Sequence, residues 1–459
     1  MSKIVIIGSG LAGSLLAIYL AKRGFNVEVY EARPDMRKVK ISAGRSINLA
    51  LSDRGILALN QVGLDNYILK EAIPMYGRMV HTLDGQNKFL PYSGRKGEYI
   101  NSISRAGLNC ALMDEAEKYG NVKIFFNSRC IGFDCHTGEA IIENLESAER
   151  KIVKGETLFA ADGAGSVVRN AMLHGCVPRF NFSQSWLEHG YKELHIPPAE
   201  DGSFRMEKNA LHIWARHSFM MIALPNPDGS FTCTLFLAHE GEKDSFESLK
   251  DENLLLSFFH KHFADAVPLM PTLVEDFFKN PTGNLGSIRC SPWYIDDKAL
   301  LLGDAAHAIV PFYGQGMNCA FEDCRILNEL IEEHGTDWKK IFKIFTEIRK
   351  PNTDAIADMA EENFYEMRDA VTDPVFQRKR ELETKLEQTF PDYFSKYSMV
   401  TFREDLPYKV AKEKGNAQDK LLMEICSKIE NTSEINLNEV MEKIRKLNLQ
   451  SDNTYLENR

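Results

Sequence analysis

Three stretches of this chain combine residue types that hold phosphates and sugar hydroxyls, and they lie far apart in sequence. In the first, Gly8-Ser-Gly10-Leu11-Ala12-Gly13 follows the apolar run Ile4 to Ile7 and opens a helical pattern from Ser14 to Arg23; Glu31 closes the second strand pattern, Val27 to Tyr30. In such a β-α-β unit Gly8 permits the tight turn, Gly10 lets backbone approach a pyrophosphate, and Gly13 lets helix and strand pack closely. Glu31 is placed to accept hydrogen bonds from an adenosine ribose. The second, Phe159-Ala-Ala-Asp162-Gly163-Ala-Gly-Ser166-Val-Val-Arg169, again has a strand ending at an acid, then a glycine-rich turn into a helix. The third, Ala299 to Cys324, opens with four apolar residues that read as a buried strand and breaks at Gly303-Asp304. It runs through a loop fixed by Pro311 and loosened by Gly314 and Gly316, and resumes as a helix from Met317. A carboxylate at that strand tip can hold a sugar or ribityl hydroxyl, and the helix start at Met317 and Asn318 aims unpaired N–H groups and a positive dipole end at the same place. The first motif fits NAD as well as FAD. No second complete dinucleotide fingerprint occurs.

These motifs need a framework, and the rest of the chain supplies one. Its 459 residues suffice for two or three domains, and 44% hydrophobic with 26% charged content is ordinary for a globular protein. The net charge of -10 argues against nucleic-acid binding, which needs a basic patch. No run of eighteen apolar residues occurs, so no conventional membrane span is expected, and the N-terminal apolar run flows into the glycine motif rather than forming a signal peptide. Nine cysteines without a Cys-x-x-Cys pair predict reduced thiols in a soluble cytoplasmic protein, with Cys319 and Cys324 packing in a helix. His212, His217, His260 and His262 have no metal-binding spacing, and no metal is expected.

Gly77 to Tyr92 reads as a hairpin turning at Asp84-Gly85, with Arg78 and Tyr92 directly opposite one another on one face. An arginine there suits a carboxylate, with the tyrosine hydroxyl as a third contact; a solvated sheet face is the alternative. Residues 181 to 286 read as antiparallel, with Leu211–Leu224 and Phe231–Leu237 flanking a turn at Pro225 to Gly229. After the stretch Ala299 to Cys324 the composition turns helical. Asn363 falls on an apolar stripe, and Leu421, Leu422, Ile425 and Ile429 form one face of a late helix.

Gly303-Asp-Ala-Ala-His307 with the downstream Pro311-Phe-Tyr-Gly-Gln-Gly-Met-Asn318 resembles the second flavin motif of the single-component FAD-dependent aromatic hydroxylases, the p-hydroxybenzoate hydroxylase-like family. With Phe321-Glu-Asp-Cys324, it is similar to the branch of that family that acts on kynurenine. The resemblance implies an α/β fold: a Rossmann-like FAD-binding domain in three pieces (1–70, 101–180, 287–370), an inserted antiparallel-sheet substrate domain (181–286) joined by a hairpin (71–100), and a C-terminal helical region (371–459). It implies NADPH- and O2-dependent hydroxylation of a small aromatic amino acid, L-kynurenine, to 3-hydroxy-L-kynurenine through a flavin C4a-hydroperoxide, in tryptophan degradation and NAD biosynthesis. Such a transfer needs positioning and the exclusion of water rather than a nucleophile.

By the same resemblance Arg78, Tyr92, Asn363 and Tyr397 position the substrate, and Pro311, Phe312 and Gln315 shape the pocket. The implied cofactor residues are Gly8, Gly10, Leu11, Ala12, Gly13, Tyr30, Glu31, Ala32, Arg33, Arg45, Ala50, Arg105, Ile131, Asp162, Gly163, Arg169, Gly303, Asp304, Gly316, Met317 and Asn318. Arg169 has a structural reading beside that one, and Arg105 that of a surface arginine at a helix start. The C-terminal membrane anchor of eukaryotic relatives has no counterpart here, which points to a bacterial-type enzyme. A hydroxylase of phenolic acids such as salicylate would use the same framework. A non-catalytic prenyl-protein escort would keep the first glycines but not the Gly303-Asp304 loop.

Overall fold

The structure, a computed structural model, describes residues 2–39, 48–369 and 373–457. Gly44 and Arg45 lie outside these residues. The chain divides into two compact units. The first comprises Met1–Glu71, Ile103–Leu187 and Gly286–Ala357, and the second Ala72–Ser102, Glu188–Leu285 and Asp358–Arg459.

The first unit is built on a six-stranded sheet whose order is Tyr294–Ile295, Ala299–Leu301, Thr157–Ala160, Lys3–Ile7, Asn26–Tyr30 and Val122–Phe125. All neighbours pair in parallel except the first two strands. Strands buried on both faces read as continuous apolar runs, which is why Ile4 to Ile7 and Leu158 to Ala160 carry no polar alternation. Four adjacent parallel strands thus end in Leu301, Ala160, Ile7 and Tyr30. Just past these ends the chain carries, in turn, Gly303-Asp304, Asp162, Gly8 and Glu31. The register therefore brings motifs nearly 300 positions apart onto one carboxyl edge, where open α/β sheets bind their ligands. A smaller antiparallel sheet, Ser128–Asp134, Glu139–Asn144 and Arg150–Val153, belongs to the same unit. Its register pairs Gly132 with Ile141 and Cys130 with Ile142, so Ile131 is the extra residue of a β-bulge.

The second unit contains antiparallel strands packed on helices. Phe231–Ala238 lies between the strand that ends at Ile196 and Met220–Pro225. Trp214, Met221, Leu235 and Leu237 pack with Phe258 and Phe259 of the helix Glu252–His262 and with Phe263 just past its end. The run Leu211–Leu224 is two strands, Ala210–Ala215 and Met220–Pro225, because the chain reverses at His217 with a left-handed φ of 59°. Arg78 pairs with Leu211 in parallel, so the sheet is mixed rather than wholly antiparallel.

Helices dominate the C-terminal part. Pro374–Thr389, Tyr408–Cys426 and Leu437–Glu457 bury Leu382, Leu386, Leu422, Val440 and Ile444 in one cluster, with Leu421 and Ile425 against it. The helix ends at Cys426, so Ile429 falls beyond it. No helix among the described residues is long and apolar enough to cross a membrane. Seven cysteines among the described residues are free, and Cys319 and Cys324 are buried as expected. Cys135 is disulfide-bonded, which corrects the expectation that all thiols are reduced.

Candidate active site

The glycine motif of the first unit has the geometry its chemistry requires. Gly8 has φ of 96°, and a Cβ there would lie 2.5 Å from the Ala161 carbonyl oxygen. A Cβ on Gly13 would meet the Gly8 oxygen at 2.0 Å, whereas one on Gly10 would meet nothing within 4 Å. The crowded positions close the turn, and the open one leaves room for a ligand to reach the backbone. The helix begins at Leu11, three residues earlier than its apolar pattern suggests. No side chain caps Gly10, so Leu11, Ala12 and Gly13 present the unpaired amide groups of a helix start.

At the neighbouring strand ends sit two acids in contrasting states. Glu31 is buried, and its oxygens accept from Ser9 N–H at 2.8 Å, Arg33 N–H at 2.8 Å and Arg33 Nε at 2.8 Å. Burial alone would raise its pKa; the Arg33 charge and the backbone donors outweigh burial and hold it below the usual range. Asp162 accepts Val167 N–H at 2.8 Å through Oδ2, while Oδ1 is buried without a hydrogen-bond partner. Burial raises the pKa of this carboxyl. Gly163 beside it has φ of 78°, again with open space around it. Tyr30 contributes its carbonyl to Gly8 N–H at 2.8 Å, and its hydroxyl donates to Glu28. Ala32 is half-buried and Arg33 exposed.

The third motif turns at Gly303, with φ of 57°, and the exposed Asp304 starts a one-turn helix that ends at His307. Its carboxylate therefore sits on a helix start rather than at the strand tip itself. Pro311–Tyr313 form a 3-10 turn closed by Gly314 in the left-handed region at φ of 67°. Phe312 and Gln315 are buried and Pro311 is exposed. The helix then runs Gly316–His334, and Gln315 offers no side-chain cap, so Gly316, Met317 and Asn318 have unpaired amide groups. The Asn318 side chain is spent within the protein: Nδ2 donates to the Ala50 and Gly314 oxygens at 2.8 and 2.9 Å. A Cβ on Gly314 would be 3.0 Å from the Ala50 Cβ, so the strand Leu49–Leu51 lies against this loop.

Beneath the loop is a buried ionic network whose arrangement the sequence pattern does not disclose. Arg54 donates to Glu322 at 2.8 Å, Arg349 donates to Glu322 at 2.5 Å and to Asp323 at 2.6 Å, and His307 Nε2 lies 2.6 Å from Asp323. Burial opposes ionisation of both acids, but the arginines, and His307 for Asp323, prevail and hold their pKa values low. Cys319 lies near His307 and Asp323, a potential metal trio, yet its sulfur accepts from Arg349 at 3.4 Å. A guanidinium at that place disfavours a cation. Arg169 donates from Nη1 to the Ala305 oxygen at 2.9 Å and from Nη2 to the Ala164 oxygen, while its Nε is buried without a hydrogen-bond partner. Arg105 is exposed in the first turn of the helix Arg105–Lys118, which Ser104 caps.

In the second unit, the hairpin turn is Leu83 to Gly85, one residue earlier than expected, and Arg78 therefore pairs with Leu90 rather than Tyr92. Moving the turn by one residue moves the partner by two, and a shift of two keeps the face. Tyr92 and Tyr397 stack with ring centroids 5.2 Å apart and planes at 10°; the Arg78 guanidinium lies 5.7 and 5.2 Å from their centres. Arg78 Nε and Tyr92 Oη are both buried without a hydrogen-bond partner. Burial drives the Tyr92 pKa up while the Arg78 charge opposes it, so the phenol remains a neutral donor. Asn363 is buried on the helix Trp338–Asp369, with Nδ2 3.3 Å from Met367 sulfur.

Three kinds of comparison place the chain among known proteins. A family described as FAD binding domain matches residues 1–360. The kynurenine 3-monooxygenase of Myxococcus xanthus is 46% identical over 96% of this chain and 94% of its own length. That of Dictyostelium discoideum is 45% identical over 92% of both chains. The chain belongs to the kynurenine 3-monooxygenase family. Solved structures add the fold: 2-methyl-3-hydroxypyridine-5-carboxylic acid oxygenase superposes with a TM-score of 0.64 at 19% identity, covering 84% of this chain and 97% of that one. PqsL of Pseudomonas aeruginosa, in complex with 2-aminobenzoylacetate, gives 0.64 at 17% identity, covering 80% and 97%.

Proposed function

We propose that this chain is an FAD- and NADPH-dependent monooxygenase that uses O2 to convert L-kynurenine to 3-hydroxy-L-kynurenine, a step of tryptophan degradation and NAD biosynthesis. One observation carries the choice of substrate. Arg78 is a half-buried cation beside two tyrosine rings, and no carboxylate among the described residues pairs with it. A cation so placed needs an anion, and the α-carboxylate of an amino acid satisfies it with two parallel hydrogen bonds while Tyr92 Oη donates a third.

The residues present fit FAD. Gly8, Gly10 and Gly13 with the amide groups of Leu11 and Ala12 suit its pyrophosphate, and Asp162 has a buried oxygen in need of a donor. Glu31 suits the adenosine ribose, and the exposed Arg33 side chain is the group that a ribose would displace from it. Asp304 suits the ribityl chain, and Gly316, Met317 and Asn318 aim amide groups where a reduced flavin is negative. When bound, FAD supplies hydride acceptance from NADPH and activation of O2. The protein's share is to orient the aromatic ring and exclude water, which we assign to Arg78, Tyr92, Asn363 and Tyr397 and to the turn Pro311–Gln315. We assign cofactor binding to 1–70, 101–180 and 287–370, and substrate binding to the hairpin 71–100 and sheet 181–286, with the helical region 371–459 after them. Seven free cysteines suit a cytoplasmic setting.

The test is NADPH consumption in air by the purified protein, with and without L-kynurenine, with products counted by mass spectrometry. Stimulated consumption matched by 3-hydroxykynurenine is expected. Stimulation that yields only H2O2, or greater turnover of a phenolic acid, would overturn the substrate.

A further inference from the structure

Glu387 lies in the helix Pro374–Thr389 and is 5% exposed. Its carboxylate gathers donors from two segments distant in sequence. Oε2 accepts the Gly94 N–H at 2.9 Å, two residues beyond Tyr92. Oε1 accepts the Ser395 N–H at 3.0 Å and the Ser398 hydroxyl at 2.6 Å, and these residues flank Tyr397. Ser395 also caps the short helix Lys396–Thr401, its oxygen accepting the Ser398 N–H at 3.2 Å. Around Gly94 the approach is close: a Cβ there would lie 2.6 Å from the Thr384 oxygen on the same helix as Glu387. Arg95 joins in, with Nη1 3.7 Å from Glu387 Oε1 and Nη2 donating to the Tyr393 oxygen.

We infer that Glu387 is a positioning residue for substrate recognition: it sets the spacing between Tyr92 and Tyr397 and so the aim of the Arg78 guanidinium beside them. A hydrophobic side chain at this place would pack as well but would leave three donors, two of them buried, without an acceptor. A carboxylate satisfies all three because it offers about four lone-pair sites on two oxygens and no donor of its own. Glu387 touches no ring of the cluster in its hydrogen bonding; it acts through the backbone on either side. The inference rests on the assignment of Arg78 to the substrate carboxylate.

Glu387→Gln keeps one acceptor oxygen and puts an amide donor against another N–H, so one of the two segments is released. Ser398→Ala removes one of the three donors to Glu387, together with the 3.2 Å bond that the Ser398 hydroxyl accepts from Ser395 Oγ, and leaves the charge. The FAD-loaded protein is titrated without NADPH, reading the flavin spectrum, with L-kynurenine and with the analogue in which hydrogen replaces the α-carboxylate. Glu387→Gln should weaken L-kynurenine by about tenfold and leave the analogue unchanged, with kcat at saturation retained. Ser398→Ala should show a smaller loss of the same kind, and it decides the matter if the glutamine variant does not fold. Equal weakening of both ligands, or undiminished discrimination in folded variants, would overturn the inference. Arg78→Ala separates the two levels. Discrimination abolished by Arg78→Ala but untouched by the other variants removes Glu387 alone, whereas discrimination that survives Arg78→Ala removes the substrate reading itself.

Discussion

The side-chain oxygen of Asn318 accepts the Ser52 N–H at 3.0 Å, joining residues 266 positions apart. With its two donations to Ala50 and Gly314, this carboxamide fixes the strand Leu49–Leu51 against the start of the helix Gly316–His334. Asn318→Ala should destabilise the fold by about 1–3 kcal/mol for each donor or acceptor left buried and unpaired. It should also lower FAD retention more than Asn318→Asp, which keeps the acceptor for Ser52. Thermal unfolding and the flavin-to-protein absorbance ratio measure both effects.

Replacing Arg78 with Ala should weaken L-kynurenine binding by about 2–5 kcal/mol, the range for removing one partner of a buried charge pair. FAD content should not change, because Arg78 belongs to none of the three cofactor motifs. An unaltered dissociation constant would remove Arg78 from the site.

For Asp304 the expected phenotype is reversed. Asp304→Ala should weaken FAD about ten- to hundredfold through lost hydrogen bonds to the ribityl chain, with little effect on folding because the residue is exposed. Gel filtration and then flavin absorbance read this directly, and full retention would contradict it.

Acid sensitivity should trace to the Glu322–Asp323 network. The folded Asp323 pKa lies below its unfolded value near 3.8, so its stabilisation is complete above that value and is lost as pH falls through the folded pKa. Asp323→Asn should cost about 3–5 kcal/mol at pH 7 by taking the anion away from His307 and from the Nε side of Arg349, which keeps only Glu322. The gap to the parent should narrow in melts taken from pH 5 down to pH 3; a gap independent of pH would show that the carboxylate's charge is not what stabilises.

The chemistry legible in the sequence is the part tied to backbone shape. Gly8 and Gly13 announce a crowded turn by their identity, and Asp162 and Asp304 announce strand ends because each comes after an apolar run. Tyr397 is reached by resemblance, and its neighbourhood to Arg78 is a tertiary fact with no local signature. Register escapes for a similar reason. Thr82 rather than Leu83 closes the hairpin, and both are compatible with an Asp-Gly turn. The ends of strands within Leu211–Leu224 depend on His217 adopting a conformation that its side chain does not advertise. The partners of Glu322 are hidden as well: Arg54 and Arg349 come from helices 268 and 27 positions away, and an arginine in a helix reads as solvated until its burial is known.

The order of strands in the first sheet also constrains the birth of the protein. The edge formed after Ile7, Tyr30, Ala160 and Leu301 is complete only when the last of these has paired, so a ribosome must emit more than 300 residues before the cofactor surface is whole. Loops of that length close slowly, and the early segment with its glycine turn must wait, apolar strands exposed, for partners not yet synthesised. Nascent chains halted before residue 299 should therefore be clients of chaperones and yield colourless protein. Yellow colour would then mark the moment when the earliest and latest strands of the sheet have met.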